Sequence, residues 1–284
     1  MHRYFALLCP SLLLSSCASH TRPGGYYQDD GPSSQAVDVA RIPDAVPRDE
    51  PLSSRGNKPY AVNGRNYQPL SSARGYHERG VASWYGKKFH GRLTSSGEPY
   101  DMHAMTAAHK TLPLPSYVRV RNLENGRSVV VRVNDRGPFL HNRLIDLSYA
   151  AAIKLGIAAK GTGIVEIDTV FADDTTVARA PLLLPGIGTA EASVNAPAPP
   201  APRLFLQVGA FTRFENADSL RARLEAAALD QPVAIQTVGS AGSDAESKAV
   251  YRVRIGPFHS VVDGDRLTER IAQLGVANAI IVVE

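Results

Sequence analysis

A stretch carrying six prolines and eight alanines, residues 172–203, cuts this 284-residue chain in two. It closes on Asn-Ala-Pro-Ala-Pro-Pro-Ala-Pro-Arg, a composition that favours a semi-stiff spacer over any packed element. One continuous core is therefore excluded, and two compact modules are expected, at 80–171 and 204–284. A second stretch, residues 17–57, is poor in aliphatics and rich in Pro, Gly, Ser and Asp. It cannot bury enough apolar surface to offset its ordering entropy, so a flexible tether is expected there. Between tether and first module, residues 58–79 read as a hairpin extension. Asn63-Gly64, flanked by Pro-Tyr-Ala-Val and Arg-Asn-Tyr-Gln-Pro-Leu, is a type I′ turn signal.

Both cysteines, Cys9 and Cys17, lie within the first 17 positions. No disulfide framework and no cysteine-built zinc site can support the rest of the chain. An apolar run from Tyr4 to Leu14 follows His2-Arg3, long enough for a signal peptide and short for a bilayer span. It ends in Leu14-Ser15-Ser16-Cys17, which resembles a bacterial lipobox. The resemblance implies removal of residues 1–16 and lipidation of Cys17. With Ala18 next in line, it also implies an outer-membrane lipoprotein facing the periplasm. The formal charge of +4 is mild, and export excludes a nucleic-acid partner. The charge suits contact with anionic glycan or lipid instead.

The second module contains a repeat. Leu-Phe-Leu-Gln-Val-Gly-Ala-Phe (204–211) and Tyr-Arg-Val-Arg-Ile-Gly-Pro-Phe (251–258) lie 47 residues apart, and both read as strands. At the same offset Leu220 matches Leu267 and Leu224 matches Ile271, on a following helix in each copy. Alternation puts Leu206 and Val208 on one face, Phe205 and Gln207 on the other; Val253 and Ile255 face inward, Arg252 and Arg254 outward. Further strands at 231–239 and 279–284 complete a β-α-β-β-α-β order, an α+β domain with an antiparallel sheet. The Gln-Val-Gly-Ala-Phe and Arg-Ile-Gly-Pro-Phe segments resemble the sporulation-related repeat (SPOR) domain. That family binds peptidoglycan stripped of stem peptides, as found at division septa. The resemblance implies septal enrichment, with divisome proteins as candidate partners. Gln207 and Arg254 are the substrate-binding candidates on the open sheet face, where Arg254 could pair with a lactyl carboxylate.

The first module reads as short strands at Val81–Trp84, Tyr117–Val120, Val129–Val133 and Ile164–Ile167, with one helix over 149–155. Ser148 is the expected N-cap and Gly156 the C-terminal stop. Many short strands and one helix in about 90 residues argue for a small, mainly β barrel. Ala-Ser-Trp-Tyr-Gly (82–86), Gly-Arg-Leu-Thr-Ser-Ser-Gly-Glu (91–98) and Ala-Ala-His-Lys-Thr-Leu-Pro (107–113) follow in order. Val-Arg-Val-Asn-Asp-Arg-Gly-Pro-Phe (131–139) and the Ile-Asp-Leu-Ser block from 145 come next. Together they resemble the double-psi β-barrel of the rare lipoprotein A family. The resemblance implies a lytic transglycosylase that cleaves the MurNAc–GlcNAc bond of peptidoglycan and leaves a 1,6-anhydro end.

Such cleavage needs an acid on the leaving oxygen and stabilisation of an oxocarbenium-like sugar, but no activated water, metal or cofactor. One group can serve as acid and then as base for the C6 hydroxyl. Asp135, after a strand, is the first candidate for that group, Glu98 the second. His109 is the candidate to orient a carboxylate or bond a sugar hydroxyl. Arg136 is expected to be an orienting charge, since a guanidinium stays protonated. In related expansin-like barrels an aspartate in a similar Asp-Leu-Ser setting is the catalytic acid; here Asp146 is expected instead to contact the barrel loop or the following helix start, with a catalytic or orienting role as the alternative. Trp84 and Tyr85 are candidates to stack on sugar. No histidine spacing suggests a metal site. A non-catalytic septal binding lipoprotein remains the alternative, because a barrel of this kind can bind polysaccharide without cleaving it.

Overall fold

The computed structural model describes residues 30–33, 38–140, 142–174, 202–239 and 249–284. The signal segment 1–16, Cys17, most of the 172–203 spacer and the polar 240–248 loop lie outside the described residues.

The hairpin extension forms as its turn signal requires. β1 (Tyr60–Val62) pairs antiparallel with β2 (Arg65–Tyr67), and Asn63 and Gly64 both take positive φ, 51° and 74°. That backbone is the type I′ geometry that joins twisted strands through two residues.

Six strands then close into a barrel in the order β3-β7-β4-β6-β5-β8. They are β3 (His77–Tyr85), β4 (Thr106–His109), β5 (Ser116–Asn122), β6 (Ser128–Asp135), β7 (Ile145–Ser148) and β8 (Gly163–Thr169). The β3–β7 and β4–β6 pairs are parallel, and the other four pairs antiparallel. The barrel interior is filled by residues such as Val118, Val120, Val131, Val133, Ile145 and Leu147, all fully buried. Each contributes about 1.5–3 kcal/mol relative to exposure. α1 (Tyr149–Leu155) starts at the expected Ser148 cap, whose hydroxyl accepts from the Ala151 N–H, and ends at Gly156 in the left-handed conformation.

The tether reading fails for its second half. Residues 38–57 are laid along the barrel as a strap. The Ala45 N–H donates to the Val130 carbonyl (3.0 Å), and the Val130 N–H donates to Asp44 (2.9 Å). Asp44 also pairs with Lys154, and Glu50 takes two hydrogen bonds from Arg132. Polar pairing fixes this segment together with a little apolar packing, Val39, Ile42 and Ala45 lying half-buried against the barrel core; so few aliphatics are why its composition reads as loose. Asp44→Ala is expected to cost the protein about 1–2 kcal/mol, because it strips a backbone donor of its partner. Urea unfolding followed by fluorescence of Trp84, the chain's single tryptophan, measures it.

The second domain follows the repeat. β9 (Leu204–Phe211), α2 (Phe214–Ala226), β10 (Val233–Val238), β11 (Val250–Phe258), α3 (Val261–Gln273) and β12 (Ile280–Val283) build a four-stranded antiparallel sheet in the order β10-β11-β9-β12. Leu206, Val208, Leu224, Val253, Ile255 and Ile271 fill its core. This domain sits against the barrel. Val81 and Ile164 pack into its apolar cluster, and Arg143 makes a two-pronged pair with Asp265 (3.1 and 2.6 Å). The Asn142 amide bonds both Thr268 (2.9 Å) and the Ile281 N–H (3.0 Å).

Candidate active site

Two very short strands bring the site together. Ala108 of β4 faces Asp146 of β7 on one side and Asp135 of β6 on the other. On the β6 side, Ala107 and Ala108 oppose Val133 and Asp135, so Asn134 is an extra residue. Such a bulge re-aims the side chain that follows it. Here that side chain is Asp135.

Asp135 Oδ1 accepts three hydrogen bonds, from the Ser95 N–H (2.7 Å), the Ser95 hydroxyl (2.7 Å) and the Arg136 N–H (2.7 Å). Among the described residues no donor reaches Oδ2 of this half-buried carboxylate. Asp146 differs in kind. It is only 9% exposed, and the Ser83 hydroxyl donates to it from β3. Burial pushes its pKa up to about 6, against the pull of the Ser83 hydrogen bond and of Arg143 and Lys110; the charge of Asp135 adds to the rise. Gly137, at φ 142°, passes over it, and a Cβ there would stand 3.9 Å from Asp146 Oδ2. Having no side chain, Gly137 places no Cβ against Oδ2.

Glu98, in the loop between β3 and β4, lies against Arg132 and Asn134 of β6. Burial pushes its carboxyl up, but hydrogen bonds from Arg132 (2.7 and 3.0 Å) and Asn134 (2.8 Å) outweigh it and hold the pKa below the usual range. Glu98 is thus an anion with both oxygens engaged. With Arg132, Glu50 and Tyr117 it lines a cavity of about 530 Å³ whose outer wall is the strap.

Several expected site residues are placed elsewhere. His109 is 2% exposed; its Nδ1 accepts from the Thr111 and Leu112 N–H groups (3.2 and 3.0 Å), which leaves the proton on Nε2, 3.1 Å from the Tyr76 hydroxyl. Burial lowers its pKa to about 3, with Lys110 and Arg136 adding to the effect, so it stays neutral and holds its own turn rather than meeting the carboxylates. Trp84 and Tyr85 are buried, Tyr85 stacked on Tyr100 with centroids 4.0 Å apart, so neither presents a face to sugar. An apolar ring at the end of a strand joins the core unless something holds it out. Arg254 is 8% exposed and paired with Glu284, which corrects the expectation that it projects from an open sheet; its register partner Gln207 is half-buried. Arg136 is turned to backbone: its guanidinium donates to the carbonyls of Gly56 (2.9 Å), His109 (3.0 Å) and Leu112 (2.6 Å) and to Asn57 (3.1 Å). Ser95 and Ser83, which seat the two aspartates, went unread in the sequence; the only signal for Ser95 was its polar loop three residues before Glu98. Among the described residues no group of three or more His, Cys, Asp or Glu side chains could hold a metal ion.

Residues 77–168 match the family model described as lytic transglycolase, and 200–282 match that of the SPOR domain. An endolytic peptidoglycan transglycosylase RlpA of Pseudomonas aeruginosa is 41% identical over 93% of this chain and 92% of its own length. The chain belongs to the RlpA family. Two further RlpA proteins of the same printed activity are similar to it. That of Vibrio cholerae is 52% identical over 63% of this chain and 68% of its own; that of Neisseria meningitidis is 41% identical over 84% and 88%. In this RlpA-family chain Glu98, Asp135 and Asp146 all fall inside the stretch matched as lytic transglycolase, whereas the strap and the β1–β2 hairpin precede it.

Proposed function

We propose that this chain is an endolytic peptidoglycan lytic transglycosylase that cuts MurNAc–GlcNAc bonds in strands lacking stem peptides and leaves 1,6-anhydro-MurNAc ends. The observation that carries the reading is the aspartate pair: a desolvated carboxyl whose pKa is raised to about 6, beside a second carboxylate with one oxygen unpartnered. A carboxyl that burial keeps protonated near neutral pH is suited to be the general acid. Asp146 gives its proton to the glycosidic oxygen as the C1–O bond breaks. Asp135, with an oxygen that no donor among the described residues reaches, stabilises the positive charge that develops on the sugar. The C6 hydroxyl then closes on C1, and its proton returns to the Asp146 carboxylate, restoring the acid without water or cofactor. Glu98 serves the site by fixing Arg132 and Asn134.

The SPOR domain supports the substrate choice. Tethered beside the barrel, a module that holds denuded glycan raises its local concentration at the carboxylates. The same proposal places the chain at the outer membrane, facing the periplasm and enriched at the septum, through a lipid on Cys17, with divisome proteins as partners. A lipid-free form incubated with amidase-stripped sacculi is expected to release anhydro-ended glycans, and to release far fewer from untreated sacculi. Equal release from both would contradict the denuded-strand preference. No release with sacculus binding intact would favour the binding-protein alternative.

A further inference from the structure

Burial of Trp84 and Tyr85 leaves the reading without an aromatic surface for sugar. One stands at the β1–β2 hairpin. Tyr60 and Tyr67 stack across it with centroids 5.0 Å apart and planes 15° from parallel. Phe139 meets both edge-on, at 6.1 and 5.7 Å. All three rings are half-buried, and Phe139 is four residues beyond Asp135 on the same loop. Tyr60 is anchored by its hydroxyl, which donates to the Lys110 carbonyl (2.8 Å), and the Arg136 guanidinium lies 5.9 Å from its ring centroid. Arg136 follows Asp135 directly and holds Gly56 and Asn57 just before the hairpin, so hairpin and carboxylate loop are fixed as one body. At the other end of the hairpin, Arg65 donates to Asn278 of the SPOR domain (2.8 Å).

We propose that Tyr60, Tyr67 and Phe139 form a sugar-binding subsite that seats an N-acetylhexosamine unit of the glycan strand next to the bond being cut. The proposal rests on the transglycosylase reading. Aromatic faces take the C–H faces of pyranose rings, where apolar surface is buried while the hydroxyls stay wet. The hairpin joins the SPOR domain to the Asp135 loop, so the same aromatic wall lies along the line a strand would follow from one module to the other. Its occupant is a β-linked amino-sugar chain rather than a protein, because Phe139 and the Arg136 contact with Tyr60 tie the wall to the loop that follows Asp135.

Steady-state kinetics on denuded strands test this with Tyr67, whose hydroxyl has no hydrogen-bond partner among the described residues. Tyr67→Ala is expected to raise KM about tenfold, the factor that 1.4 kcal/mol represents, with kcat nearly unchanged. Tyr67→Phe keeps the ring and is expected to behave as wild type; Tyr67→Leu keeps the apolar packing without the aromatic face and should resemble Tyr67→Ala. Ring NMR signals of Tyr67 in the full chain, titrated with a denuded oligosaccharide, should shift saturably. An unchanged KM in Tyr67→Ala, or rings silent to the oligosaccharide, overturns the subsite even where turnover is normal. Saturable Tyr67 shifts in a wild type that forms no anhydro ends would uphold the subsite and sink the transglycosylase reading.

Discussion

Asp146→Asn is expected to lower the release of anhydro ends by at least about a hundredfold, within the range that general acid–base groups supply. The same substitution is expected to stabilise the protein. The folded carboxyl titrates at about 6 rather than 3.8, because burial disfavours its charge. Between those two pH values the folded state holds more protons than the unfolded one, so stability falls as pH rises through that window. Above it the cost is fully present, about 3 kcal/mol at most. Asparagine keeps the acceptor for Ser83 and carries no charge. Unfolding monitored by Trp84 should show the variant more stable than wild type at pH 7.5, with the difference gone below pH 4. A variant less stable at pH 7.5 would mean that the ionised carboxylate is welcome where it sits. The wild-type rate should fall on the alkaline side of pH 6 as the acid loses its proton.

Arg136→Met is expected to have the largest effect on stability, a loss of about 3–4 kcal/mol. Its guanidinium is buried and satisfies three backbone carbonyls and the Asn57 side chain, drawn from the strap end, the β4 turn and the following loop. Methionine fills similar volume but leaves those acceptors without donors, each at a cost of order 1 kcal/mol or more. Lysine supplies a single charged point in place of a planar fork and should rescue only part of the loss. Because the same side chain joins the hairpin to the Asp135 loop, KM should rise together with the fall in stability. Urea titration followed at Trp84 reads the barrel alone, which avoids treating two domains as one transition. A loss below about 1 kcal/mol would show that water replaces the guanidinium without penalty.

The long elements were legible because period and punctuation agreed. The four longer barrel strands, α1 with its Ser148 and Gly156 ends, and the whole SPOR order follow from alternation, caps and the 47-residue repeat. The two strands that assemble the site were not. Thr106–His109 and Ile145–Ser148 have four residues each, too few to show a period, and their pairing is set by partners distant in sequence. Asp135 could be named from its turn, but the burial that makes Asp146 the better acid exists only once β3, β4 and β7 close around it. Arg254 and the strap mislead for a related reason. A charged strand residue reads as exposed until a side-chain carboxylate such as that of Glu284 covers it, and a Pro- and Asp-rich segment reads as loose until Val130, Arg132 and Lys154 hold it.

Cleavage of stripped sacculi in heavy-oxygen water, with the new muramic-acid ends read by mass spectrometry, tests the central claim most directly. Internal attack by the C6 hydroxyl predicts dehydrated 1,6-anhydro ends carrying no label, and their disappearance in Asp146→Asn. Reducing MurNAc ends with one heavy oxygen at C1 would show that water is the nucleophile, and would contradict the account.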